Sequence, residues 1–123
     1  MTSISRDRFE SLVRRAISEL PDNFSARLDN VDIIVDDIAS IDQLIGTGIE
    51  SEMDLLGLYE GIPLTERYGY DMIIPDKITI FQKAVESTCA SQEQITEEIK
   101  VTVLHEIAHH FGIDDSALEQ IGI

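Results

Sequence analysis

The stretch SQEQITEEIKVTVLHEIAHHFGIDD, residues 91–115, decides how the rest of this chain is read. It opens with Ser91 and Gln94, a pair whose side chains can each satisfy a free backbone donor at a helix start. No Pro or Gly follows until Gly112, so one long helix is expected from about Ser91 to near Phe111. With His105 at zero and about 100° per residue, His109 falls at roughly 40°, Glu98 at roughly 20°, Thr102 at roughly 60° and Glu106 at roughly 100°. Val101, Val103, Leu104, Ile107, Ala108 and Phe111 cover most of the remaining circumference. The second half of the helix is therefore expected inside the molecule, its polar groups gathered on one stripe. His110, at roughly 140°, points away from that stripe and reads as a packing or supporting residue.

Buried polar groups need partners, and two imidazoles one turn apart beside a carboxylate suit a divalent metal ion. His105 and His109 are the candidate ligands, and Glu106 is the candidate base for a metal-activated water. Gly112 lets the helix end in a left-handed residue and turns the chain back, offering Asp115 as third ligand. Asp115 has a competing role as the N-cap of a last short helix carrying Leu118 and Ile121. Asp114 can take that cap instead, and Glu119 is the alternative carboxylate. Glu98 and Thr102 are expected to support the ligands by hydrogen bonding or to be exposed. Three protein ligands with one open position describe a catalytic zinc site, one Zn²⁺ per chain, whose chemistry is hydrolysis.

Upstream, Phe9, Leu12, Val13, Ala16, Ile17 and Leu20 form one apolar face, predicting a helix from about Ser5 to Leu20 that Pro21 stops. Asp22 to Asp29 reads as a turn or short helical piece. Val31 to Val35, Leu55 to Tyr59 and Lys77 to Phe81 read as strands. The segment Ala39 to Glu52 has two glycines and no firm period, and is expected to be a surface loop. Gly61-Ile62-Pro63 turns the chain, and Leu64 to Tyr70 either pairs back or stays irregular. Gln82 to Cys89 reads as a short helix. The expected fold is α+β: a small sheet of three to four strands packed with an N-terminal helix, the long motif helix and a short C-terminal helix.

At 123 residues the chain is expected to be a single domain, 1–123. A hydrophobic share of 43% and a mean hydropathy near zero describe a globular chain. The N-terminus lacks an apolar signal-peptide core, and the lone Cys89, read as a small packed residue, forms no internal disulfide. Both features point to the cytoplasm. The net charge of −15 disfavours nucleic acid and anionic membranes as partners. It leaves a peptide or protein substrate, with an unknown protein partner as a further option.

His105-Glu106-x-x-His109-x-x-Gly112-x-x-Asp115 resembles the extended zinc-binding motif of the metzincins, in the variant with Asp as third ligand. With the segments Leu55 to Thr65 and Pro75 to Phe81, it is similar to a family of small bacterial proteins described as minimal zincins. That resemblance implies a zincin-like core, zinc at His105, His109 and Asp115, and Glu106 as general base of a metallopeptidase. Full-length metzincins continue past the motif to a methionine turn. Here eight residues follow Asp115 and none is Met, leaving Met53 or Met72 to fill that space. Tyr59, Tyr68, Tyr70 and Arg67 are the candidates for a second oxyanion donor. The competing readings are a non-catalytic zinc-binding or partner-binding domain, a metal-dependent nuclease, and a peptidase active only with a partner.

Overall fold

The computed structural model describes residues 3–28, 31–61 and 76–110. Helix α1 spans Arg6–Ser18, and the Ser5 hydroxyl caps it by accepting the Arg8 N–H at 3.1 Å. Its apolar face buries Phe9, Leu12, Val13 and Ala16. After Pro21, α2 (Asp22–Ser25) and a 3₁₀ turn (Ala26–Leu28) lead to strand β1, Val31–Asp36. Strands β2 (Gly57–Glu60) and β3 (Asp76–Phe81) complete a sheet of order β1-β3-β2. β1 runs parallel to β3 with Ile33 opposite Ile78, and β2 runs antiparallel with Leu58 opposite Thr79. The architecture is α+β, as the sequence predicts.

Period two in β3 divides the core. Ile78 and Ile80 enter the main cluster with Phe9, Leu12, Ile95, Ile99, Val103 and Ile107. Phe81, out of phase with them, joins a smaller cluster of Ala39, Leu55 and Ala84, with Leu44, Ile49 and Leu58 against it. Fully burying each such aliphatic side chain contributes about 1.5–3 kcal/mol. Cys89 is buried and free, the small packed residue expected of it.

The segment 39–52 departs from the expected loop. Residues Ile41–Ile45 form a short helix, α3, with a capping box. The Ser40 hydroxyl accepts the Gln43 N–H at 3.2 Å, and the Gln43 side chain accepts the Ser40 N–H at 2.9 Å. Its cap, not an apolar period, starts this helix, and Ile41 and Ile45 stay exposed.

β2 also starts two residues later than expected. Leu55 turns into the smaller cluster, while the Leu56 carbonyl already accepts the Phe81 N–H at 2.9 Å. Gly57 fits this place because a Cβ there would meet the Thr102 methyl at 2.5 Å. That close approach lays β2 directly against the motif helix. The expected pairing of Leu64 to Tyr70 and the C-terminal helix lie outside the described residues. Helix α4 (Gln82–Ser87) precedes α5, the long helix, Gln92–His110. Ser91 accepts the Gln94 N–H at 3.2 Å as expected, but Gln94 reaches back to the Ala90 N–H at 2.6 Å, one residue earlier than a capping box requires. Among the described residues no helix is long and apolar enough to cross a membrane.

Candidate active site

The last two turns of α5 carry His105, Glu106 and His109. Ile107 and Ala108 of the same turns are buried in the main core, which fixes how the helix is rotated. His105 and His109 lie one turn apart with ring centres 6.0 Å from each other and planes at 69°. The Glu106 side chain is 19% exposed and that of His109 64%, so the group stands where the core meets solvent. His109 Nδ1 lies 3.9 Å from Glu106 Oε2.

Strand β2 contributes the contact that holds the carboxylate. In an antiparallel ladder successive residues send their backbone groups to opposite sides. Leu56 bonds inward to β3, so Leu58 and Glu60 also face β3, whereas Gly57 and Tyr59 face the outer edge. There the Tyr59 N–H donates to Glu106 Oε1 at 3.0 Å. Burial pushes the Glu106 carboxyl above its ordinary pKa, opposed by this hydrogen bond and by the two imidazoles. Nothing in the identity of residue 59 signals this donor, since every residue but proline has one.

The imidazole spacing was tested against a zinc ion. Zinc sits about 2.1 Å from an imidazole nitrogen, hence roughly 3.2 Å from the ring centre. Two rings can share one ion only when their centres are within about 6.4 Å. A tetrahedral ion would set the centres about 5.2 Å apart; the observed 6.0 Å lies between that spacing and the limit, so the donor types suit the metal and a small turn of one ring would bring the pair onto it. Among the described residues no three His, Cys, Asp or Glu side chains converge as a complete metal site. The expected third ligand, Asp115, lies outside the described residues, as do Gly112, Asp114 and Glu119.

Other candidates are placed differently from expectation. The Tyr59 hydroxyl donates to Asp76 Oδ2 at 2.8 Å, and its backbone rather than its phenol meets Glu106. Tyr68, Tyr70 and Arg67 lie outside the described residues, and so does the side chain of His110. Thr102 is buried with its methyl beneath Gly57, which makes it a packing residue. Glu98 lines a shallow cavity with Thr88, Cys89 and Val101, none of which belongs to the motif.

A cavity of about 500 Å³ opens beside Glu106 and His109, walled by Thr47, Ile49, Leu55, Gly57, Leu58 and Tyr59. Another, of about 570 Å³, lies between α1 and β1, lined by Glu10, Val13, Arg14, Ile17, Ile33, Ile34 and Val35. No motif residue lines it, so the smaller cavity is the one joined to the chemistry.

The family model for zincin-like metallopeptidases matches residues 28–123, and the chain belongs to that family. The family implies zinc as the metal. No curated protein matches the chain.

Proposed function

We propose that this chain is a zinc-dependent peptidase in which Glu106 is the general base. One zinc per chain would be held by His105, His109 and Asp115. The observation that carries the reading is Glu106 itself: a half-buried carboxylate, fixed by the Tyr59 N–H, beside two imidazoles one helical turn apart. Zinc, when bound, supplies the Lewis acidity that polarises a peptide carbonyl and acidifies water. Glu106 takes the proton of the attacking water and returns it to the leaving amine. Burial raises its pKa, which favours accepting the proton of water. Tyr59 keeps one carboxylate oxygen fixed so that the other is aimed at the water.

An extended peptide adds to the outer edge of β2 beside Gly57, next to the point where Glu106 holds the Tyr59 N–H. That places the bond to be cut along the same edge that holds the base.

The test is hydrolysis of a broad peptide library by zinc-loaded wild type beside Glu106→Gln. The substitution keeps size and hydrogen bonding and removes the base, so a loss of about 10²–10⁴ in kcat with zinc content unchanged is expected. Equal rates in the two proteins rule out Glu106 as the base.

A further inference from the structure

We infer that the cavity beside Glu106 is a specificity pocket for an aliphatic side chain, and that the preferred substrates are extended peptides in which that residue adjoins the cleaved bond and is flanked by cationic residues. This inference rests on the peptidase reading of the same site and adds what the site selects.

The geometry of β2 separates two faces of any strand added to it. The Gly57 position abuts Thr102 of α5, and Tyr59 packs on the main core. Leu58, one residue out of phase, packs on the smaller cluster with Ile49 and Leu55. Side chains of a peptide running along this edge alternate in the same way. One set turns toward α5, where Glu106 and His109 stand. The next residue turns to the Leu58 side and meets a wall of Ile49, Leu55 and Leu58. Residues on either side of a cleaved bond are neighbours, so one of them necessarily enters this wall. At about 500 Å³ the cavity falls within the roughly 300–1,000 Å³ typical of ligand pockets.

Away from Glu106 and His109, the Thr47 side chain does not compete for the incoming group. The Thr47 hydroxyl donates to the Leu44 carbonyl at 2.8 Å and accepts the Ile49 N–H at 3.1 Å, so it is occupied within its own turn. The pocket therefore offers a side chain mainly apolar contact, and Ile49 and Leu58 determine what fits.

Charge supplies the second half. Residues 39–61, which run through α3 to the end of β2, contain five carboxylates and no Lys, Arg or His; Lys77 stands 3.9 Å from one of them, Glu60. Glu50, Glu52, Asp54 and Glu60 follow closely on Thr47 or bracket Leu58 in sequence. A field of one sign around a cleft favours ligands of the opposite sign and repels acidic ones. The mouth of an apolar pocket in that setting suits an aliphatic residue between lysines or arginines.

The experiment uses matched internally quenched peptides with lysine flanks and one central residue varied among Leu, Ala, Lys and Glu. A second set repeats the Leu peptide with glutamate flanks. Each set is read twice: as kcat/KM with zinc-loaded wild type, and as binding of unquenched, singly labelled versions of the same peptides to the Glu106→Gln protein by fluorescence anisotropy. The inference expects Leu to be preferred over Glu by on the order of tenfold or more, and lysine flanks over glutamate flanks. Ile49→Lys is expected to reverse the Leu-over-Glu order, and Ile49→Phe to favour Ala over Leu by filling the pocket.

Cleavage with no preference for the central residue overturns the pocket and leaves Glu106 as base intact. Selective binding without cleavage in wild type supports the pocket and counts against the peptidase reading. No selectivity in either readout overturns the inference, whether or not the Ile49 variants fold.

Discussion

The two edges of the sheet carry the same kind of exposed backbone and treat it in opposite ways. At β1 a cation closes the edge. The Arg6 guanidinium donates to the Val35 carbonyl at 3.1 Å, to the Gln82 side chain at 2.7 Å, and also to Asp37. Around it the chain start is clamped, with the Ile4 N–H on Glu86 at 2.8 Å and the Gln82 amide on the Ile4 carbonyl at 2.9 Å. At β2 the edge meets an anion, the Glu106 carboxylate, on the Tyr59 N–H. A capped carbonyl blunts strand pairing, which is how proteins guard an edge against unwanted partners. An amide pointed at the carboxylate proposed as the base turns an edge into part of the candidate site. The difference follows from which residue of each neighbouring helix faces the strand: Arg6 in the first turn of α1, and Glu106 in the penultimate turn of α5.

Gly57→Val is the change expected to disturb this contrast most. Its side chain collides with the Thr102 methyl and crowds the Thr79 carbonyl, which a Cβ would approach to 3.3 Å. Pushing β2 off α5 should cost about 1–3 kcal/mol in denaturant unfolding. Activity should fall further than stability explains, because the Tyr59 N–H moves off Glu106. A variant as stable and active as wild type would mean that the close contact does not set the position of β2.

Arg6→Ala tests the guarded edge. It leaves the Val35 carbonyl and the Gln82 side chain without their charged donor and should cost about 1–2 kcal/mol by equilibrium unfolding. It should also raise concentration-dependent association seen by light scattering, while peptide hydrolysis stays at the wild-type level. Loss of hydrolysis in a folded, monomeric protein would show that the two edges are not independent.

The smallest effect is expected at the centre of the sheet. Thr79 is fully buried, and among the described residues its hydroxyl has no hydrogen-bond partner. Thr79→Val keeps the shape and removes the orphaned group, so it should stabilise the protein by about 1 kcal/mol in the same unfolding assay. A destabilised variant would mean that the hydroxyl is satisfied by a buried water and belongs to the structure.

Much of this layout was legible in the sequence where a periodic pattern met a cap. α1 came from an apolar period stopped by Pro21, β1 and β3 from short β-branched runs, and α5 from the Ser91 and Gln94 pair ahead of an apolar run. α3 was missed although Ser40 and Gln43 have the same spacing as Ser91 and Gln94 and close the full box, because five residues, none of them buried, are too few to establish an apolar period. The strand order was not readable, since β1 pairs with β3 across a long separation and local pattern says nothing of partners. In the site, the helical spacing of His105, Glu106 and His109 could be counted from the chain. The brace on Glu106 could not, because it is a backbone amide brought there by the fit of Gly57 against Thr102. Tyr59 was singled out for its phenol and matters for its N–H.

The β2 edge and the α5 histidines are proposed to serve one zinc ion together. The most direct test is elemental analysis of protein prepared without a metal-binding tag, for wild type beside His109→Ala, with circular dichroism to verify that both are folded. One zinc per wild-type chain and none in the variant is the expected result. Wild-type protein that neither carries zinc nor takes it up on addition would contradict it.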